Sequence, residues 1–301
     1  MYNQIASNRR KSALLIALFI GVCAGVGYVY GFVSQSGSYE GLIFALIISL
    51  GYSLFGWFFG DKMVLWSNGA QALQNREENR YIWNLVENLS IAAGQAMPKI
   101  YIIQDPALNA FATGRDPKHA SIALTTGIIQ ALENEELEGV IAHELSHIKN
   151  EDIKIMLLAA VLVGVLSLFG DWMFRNAFFG RRRRDNDEGG GGNLLMILGI
   201  IFIVISPIIG QLIQLAISRQ REYLADASGA LLTRYPEGLA RALEKIRSSG
   251  IAISRSSTAT AHLWIANPEG SSPSIMQRIS HLFSTHPPID ERIKRLRSNT
   301  A

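Results

Sequence analysis

A single cysteine, Cys23, stands in this chain of 301 residues. One thiol excludes a disulfide framework and any cysteine-based metal centre, so a metal here must be held by histidine and carboxylates. Charge is also scarce: 18% of residues are charged, and the net charge is only +3. The few basic clusters are local: Arg9 to Lys11, Arg181 to Arg184, and Arg292 to Arg297. No basic stripe is interleaved with aromatics, so no nucleic-acid partner is expected. Histidine is rare as well, with six in the whole chain.

Apolar residues, by contrast, are abundant: 49% of the chain, with a mean hydropathy of +0.18. That balance is too apolar for a typical soluble enzyme and points to a membrane. Four long apolar runs carry it. The first, Ser12 to Val33, follows a basic N-terminus and is long enough to span a bilayer. It is longer than the apolar core of a signal peptide, which favours an uncleaved anchor. The link Ser34 to Glu40 has no Lys or Arg, and Gly41 to Gly60 is a second span closed by Asp61 and Lys62. The positive-inside rule then puts the N-terminus and the chain after Lys62 in the cytoplasm. Ile153 to Leu168 and Leu194 to Ile217 form a second apolar pair, separated by four arginines and a glycine-rich tract expected to be disordered. If both cross, those arginines lie on the wrong side for the rule. Membrane association of both is expected, and the number of crossings between the two halves of any shared site must be even.

The rest of the chain is arranged around His143-Glu144-x-x-His147. On a helix, residues i and i+4 share a face, so both imidazoles can point at one ion while Glu144 reaches a water beside it. Leu137, Val140, Ile141, Leu145 and Ile148 recur at helical spacing, and Asn134 is the expected N-cap. Before this helix, Met63 to Met97 reads as one or two amphipathic helices, with Leu85, Val86, Leu89, Ala92 and Ala93 as a buried stripe. Lys99 to Ile103, Asn109 to Gly114 and Ala120 to Thr125 read as strands of a small sheet. After the fourth apolar run, Glu222 and Asp226 share a helix face. Alone they would be solvated charge paired with Arg219 and Arg221. Beside a histidine pair they become candidates for a third ligand and for a carboxylate that orients a ligand imidazole. Ser254 to Ser274, with Trp264 isolated in it, reads as a loop near the mouth of the site, and Pro288 to Arg297 as a short basic helix.

Three motifs in order, His143-Glu-x-x-His147, Arg221-Glu222-x-x-Ala-Asp226 and Thr285-His286-Pro-Pro-x-x-x-Arg292, resemble those of the HtpX family of membrane zinc metalloproteases, relatives of the CAAX prenyl proteases. The resemblance runs over nearly the whole chain. It implies a mainly α fold with a small β-sheet: a membrane-anchored, zincin-like metallopeptidase domain with four apolar membrane helices. The expected organisation is an N-terminal transmembrane hairpin (1–62), a first part of the cytoplasmic peptidase domain (63–152), a membrane-associated hairpin (153–217) and a second part of that domain (218–301). It implies one Zn2+ per chain on His143, His147 and Glu222, with Glu144 as general base and Asp226 behind a ligand histidine. It also implies that Asn109, Ala110 and Phe111 meet the substrate at an edge strand, and that His286 stabilises the oxyanion. From the residues themselves, His286 before two prolines reads equally well as a turn residue. Arg292 is expected in a structural ion pair. The substrates implied are unfolded or membrane proteins, cut at the cytoplasmic face of a bacterial cytoplasmic membrane in stress-related quality control. A non-catalytic, zinc-stabilised membrane scaffold or holdase is the alternative.

Overall fold

The computed structural model describes residues 2–33, 38–162, 219–255, 260–268 and 287–298. The second apolar hairpin beyond residue 162, its Arg/Gly-rich link and the Thr285-His286 pair lie outside the described residues.

Two long helices, α1 (Tyr2–Val33) and α2 (Ser38–Ser67), form an N-terminal hairpin. Among the described residues one helix, Tyr39–Ser67, has the length and hydropathy of a membrane span. Its 29 residues reach about 43 Å, more than the ~30 Å of a bilayer core. Only 11% of its most apolar stretch is buried, with Ile43, Phe44, Ile47 and Phe58 among the exposed side chains. The core helix of a soluble domain would hide such a surface; this one leaves it exposed.

Past Ser67 the chain makes a short strand where helix was expected: β1 (Ala70–Ala72) is three residues, Ala-Gln-Ala, with no pattern to announce them. Helix α3 (Arg80–Ala93) follows, capped by the Asn79 side chain on Ile82 N–H. Its buried face is Leu85, Val86, Leu89 and Ala93, whereas Ala92 of the expected stripe is exposed. Strands β2 (Lys99–Ile103), β3 (Ala110–Gly114) and β4 (Ala120–Thr125) complete a four-stranded mixed sheet of order β1-β2-β4-β3. Strand β3 pairs antiparallel with β4 and is an edge strand. The short helix α4 (Thr126–Ala131), which sequence reasoning missed, starts directly at Thr125, whose side chain caps it.

Helix α5 (Asn134–Lys149) carries the histidine pair. Its N-cap is Glu133 rather than Asn134, because Glu136 reaches back to the Glu133 N–H at 2.8 Å. A left-handed residue, Glu151 (φ 56°), turns the chain into α6 (residues 152–162). This start of the third apolar run is buried: Leu157 and Val161 pack against α2 at Gly60 and Gly56, and Ile155 and Ala159 cluster with Leu15 and Phe19 of α1. Helices α7 (Arg219–Thr233), α8 (Pro236–Ser249) and α9 (Ile289–Ser298) return to the same core. That core lies between α3, α5, α8 and one face of the sheet, with Ile82, Ile122, Leu137, Ile141 and Leu243 fully buried in it. Helix α5 approaches α8 closely at Gly139, where a Cβ would sit 2.7 Å from the Leu239 backbone nitrogen.

Candidate active site

Helix α5 is buried on nearly every face, so His143, Glu144 and His147 are all withdrawn from solvent. Helix α7 crosses it at Gly229, where a Cβ would stand 3.0 Å from the His143 nitrogen. That close approach brings Glu222 to the histidines. His143 Nε2 and His147 Nε2 are 3.2 Å apart, and Glu222 Oε1 is 3.5 Å from His147 Nε2. All three donors lie within 4.8 Å of one another. Ligands at zinc bond lengths in a tetrahedral array are separated by about 3.3–3.6 Å; the first two spacings are close to that, and His143 Nε2 stands 3.9 Å from Glu222 Oε2.

The far side of each imidazole is fixed by a carboxylate. His143 Nδ1 is 3.0 Å from Asp226 Oδ1, and His147 Nδ1 is 3.1 Å from Asp152 Oδ2. Each Nδ1 therefore carries the proton, and each Nε2 is a lone pair. Two lone pairs and the Glu222 carboxylate thus converge in a buried space, an arrangement that repels itself unless a cation lies between. The residues fit a metal ion on this ground. The surrounding charge favours a cation here: burial pulls His147 down, but Asp152 and the Glu222 and Glu144 carboxylates outweigh it and raise it to about 9, so without an ion this imidazole takes up a second proton, which a metal on Nε2 would displace. His143 is lowered, chiefly by burial.

Glu144 is pushed up to about 7 by burial, with Glu222 acting the same way and His147, Arg292 and the Ala112 N–H acting against. The Ala112 N–H bonds it to β3, while its Oε1 has no hydrogen-bond partner among the described residues. Asp226 is held in turn by Arg292, whose Nε and Nη2 lie 2.9 and 2.7 Å from its two oxygens. Burial raises Asp226, yet the Arg292 guanidinium and His143 bring it down to about 2.

One functional residue escaped sequence reasoning, and one expected loop proved closely bound to the sheet. Asp152 sits at the head of an apolar run, five residues past His147, and nothing but that adjacency marks it. The loop is the segment 260–268, within the stretch expected near the mouth of the site, which packs along the outer edge of β3. Ile265 N–H bonds the Ala110 carbonyl at 2.9 Å, and Asn109 exchanges side-chain bonds with Ala266 at 3.0 and 3.3 Å. Phe111 is fully buried beneath it, edge-on to Trp264 at 4.8 Å. Asn109, Ala110 and Phe111 thus lie at the edge strand as expected, but their side chains and the Ala110 carbonyl are already engaged. Arg292 Nη1 also holds the Ile265 carbonyl at 3.0 Å, tying this segment to the metal-site carboxylates.

The profile of Peptidase family M48 matches residues 76–300. A protease HtpX homolog from Tropheryma whipplei is 43% identical over 300 residues, covering 99% of this chain and 98% of its own. Another, from Caldanaerobacter subterraneus subsp. tengcongensis, is 44% identical over 302 residues, covering 100% and 98%. The chain belongs to peptidase family M48, among the HtpX proteases. As an M48 protein it is a metalloprotease, which sets aside the non-catalytic scaffold. Its fold is similar to the crystal structure of Ste24p from S. mikatae, with a TM-score of 0.50 and 19% identity over 98% of this chain and 67% of that one.

Proposed function

We propose that this M48 protein is a membrane-bound, zinc-dependent endopeptidase that cuts unfolded or membrane proteins at the cytoplasmic face. The observation that carries the reading is the convergence of two Nε2 lone pairs and a carboxylate beside a buried Glu144 with one unpaired oxygen. His143, His147 and Glu222 hold the ion, while Asp226 and Asp152 fix the two imidazoles. When bound, zinc supplies Lewis acidity to a scissile carbonyl and lowers the pKa of a water toward ~7. Glu144 Oε1 accepts the proton of the attacking water and returns it to the leaving amine. Its raised pKa suits both halves of that transfer. Substrate main chain aligns along β3 beyond Ala110, since Ala110 is occupied by Ile265 and the Ala112 N–H already reaches Glu144. His286, outside the described residues, is the proposed donor to the oxyanion.

Membrane placement is supported by the exposed apolar face of α2 and by the contact of the first turns of α1 with the metal centre. Quality control of damaged membrane proteins fits a site held next to lipid.

The test is cleavage of an unfolded protein in detergent under a chelator, before and after zinc is added, beside Glu144→Gln. Zinc-restored cleavage that falls by about 10²–10⁴-fold in Glu144→Gln supports the assignment. Equal rates in the two proteins would remove Glu144 from its role, and restoration by no divalent metal would remove the ion.

A further inference from the structure

The two carboxylates behind the ligand histidines are themselves held from different places. Asp226 is gripped by Arg292, within the peptidase core. Asp152 is gripped from α1, the N-terminal helix. Asn8 Nδ2 lies 2.8 Å from Asp152 Oδ1 and 2.9 Å from the Asn150 carbonyl, so both of its hydrogens are used. Arg221, next to Glu222, reaches the same group, with Nη1 3.5 Å from Asn8 Oδ1 and 3.7 Å from Asp152 Oδ1.

Asn8 is only 2% exposed, a buried amide one turn before the apolar run that begins at Ser12. Such an amide costs free energy unless its bonds are made. Those bonds straddle the left-handed residue Glu151, joining the last turn of α5 to the first of α6. That residue is held against its own backbone preference, so outside contacts set where Asp152 points.

We propose that Asn8 is a positioning residue for the metal centre. It holds Asp152 so that the His147 Nδ1–H is directed and the Nε2 lone pair aims at the ion. Metal affinity then depends on how α1 is seated against the peptidase domain. The inference rests on the reading that His147 is a ligand.

The experiment measures zinc affinity of the full-length protein in detergent by competition with a chromophoric chelator. It compares wild type, Asn8→Leu, Asp152→Ala and the double variant, with thermal unfolding of each metal-free protein alongside. Leucine keeps the volume of Asn8 and suits an apolar helix, but donates nothing. Asn8→Leu should bind zinc about 10–100-fold more weakly, and should weaken it no further when Asp152 is already alanine. Unchanged zinc affinity in Asn8→Leu overturns the proposal. So does an equal loss in both backgrounds, because Asn8 would then act through the Asn150 turn alone. If Asn8→Leu does not fold, Asn8→Ala is read in the same cycle by the same criteria. A wild type that binds no zinc would instead sink the ligand assignment on which the inference stands.

Discussion

At the scale of single residues, the site is a chain of paired charges in which each member explains the next. Arg292 is fully buried, and its bidentate grip on Asp226 is why a carboxylate can stay ionised there. An aspartate depressed from 3.8 to about 2 on folding adds stability that is complete above its unfolded value and lost as pH falls through the folded one. In the metal-free protein, the difference in unfolding midpoint between wild type and Asp226→Asn should therefore hold steady from neutral pH down to about 4. It should close between there and pH 2. A difference that already narrows between pH 7 and 5 would mean that Asp226 is not held by Arg292. The residues named from the pattern were those with periodicity behind them: His143 and His147 at i and i+4, then Glu222 and Asp226 at the same spacing. Asp152 has no such partner in sequence. Its place depends on the left-handed turn at Glu151 and on Asn8, more than 140 residues away.

At the scale of elements, α5 was the easiest to read and is the most constrained. Its apolar stripe, acidic first turn and terminal lysine all favour helix, and it sits at the centre of the core. It touches α8 at Gly139 and is pinned there by Lys245, 2.7 Å from Glu136. Gly139→Ala would set a methyl 2.7 Å from the Leu239 backbone nitrogen, which can yield only if α8 moves away. Loss of roughly 1–3 kcal/mol is expected, seen as a lowered thermal midpoint of the zinc-loaded protein. An unchanged midpoint would show that the two helices have slack at their crossing. The elements that sequence left hidden were short: β1 with three residues and α4 with six. Neither is long enough to display a period, and each is fixed by tertiary contacts that no local pattern encodes.

At the scale of the molecule, the two ends of α1 and α2 that meet the peptidase domain are the first turns of α1 and the last of α2. Asn8 touches the turn after the histidine helix, and α2 passes through Ser67 into β1 of the sheet. A hairpin whose two outer ends both meet one domain leaves its link, Ser34 to Glu40, at the opposite end. The proposed cytoplasmic placement of the domain rests on the basic Arg9, Arg10 and Lys11 at that end. With the native thiol removed by Cys23→Ala, single cysteines can be placed at Ala6, Ser36 and Ser248. In intact cells an impermeant thiol reagent should label Ser36→Cys alone. In inverted vesicles it should label Ala6→Cys and Ser248→Cys. Labelling of Ala6→Cys and Ser248→Cys from opposite sides is the outcome this arrangement cannot survive. It would require an odd number of crossings between α1 and α8, and would separate either Asn8 from the Asp152 that it holds against His147 or Glu222 from the two histidines.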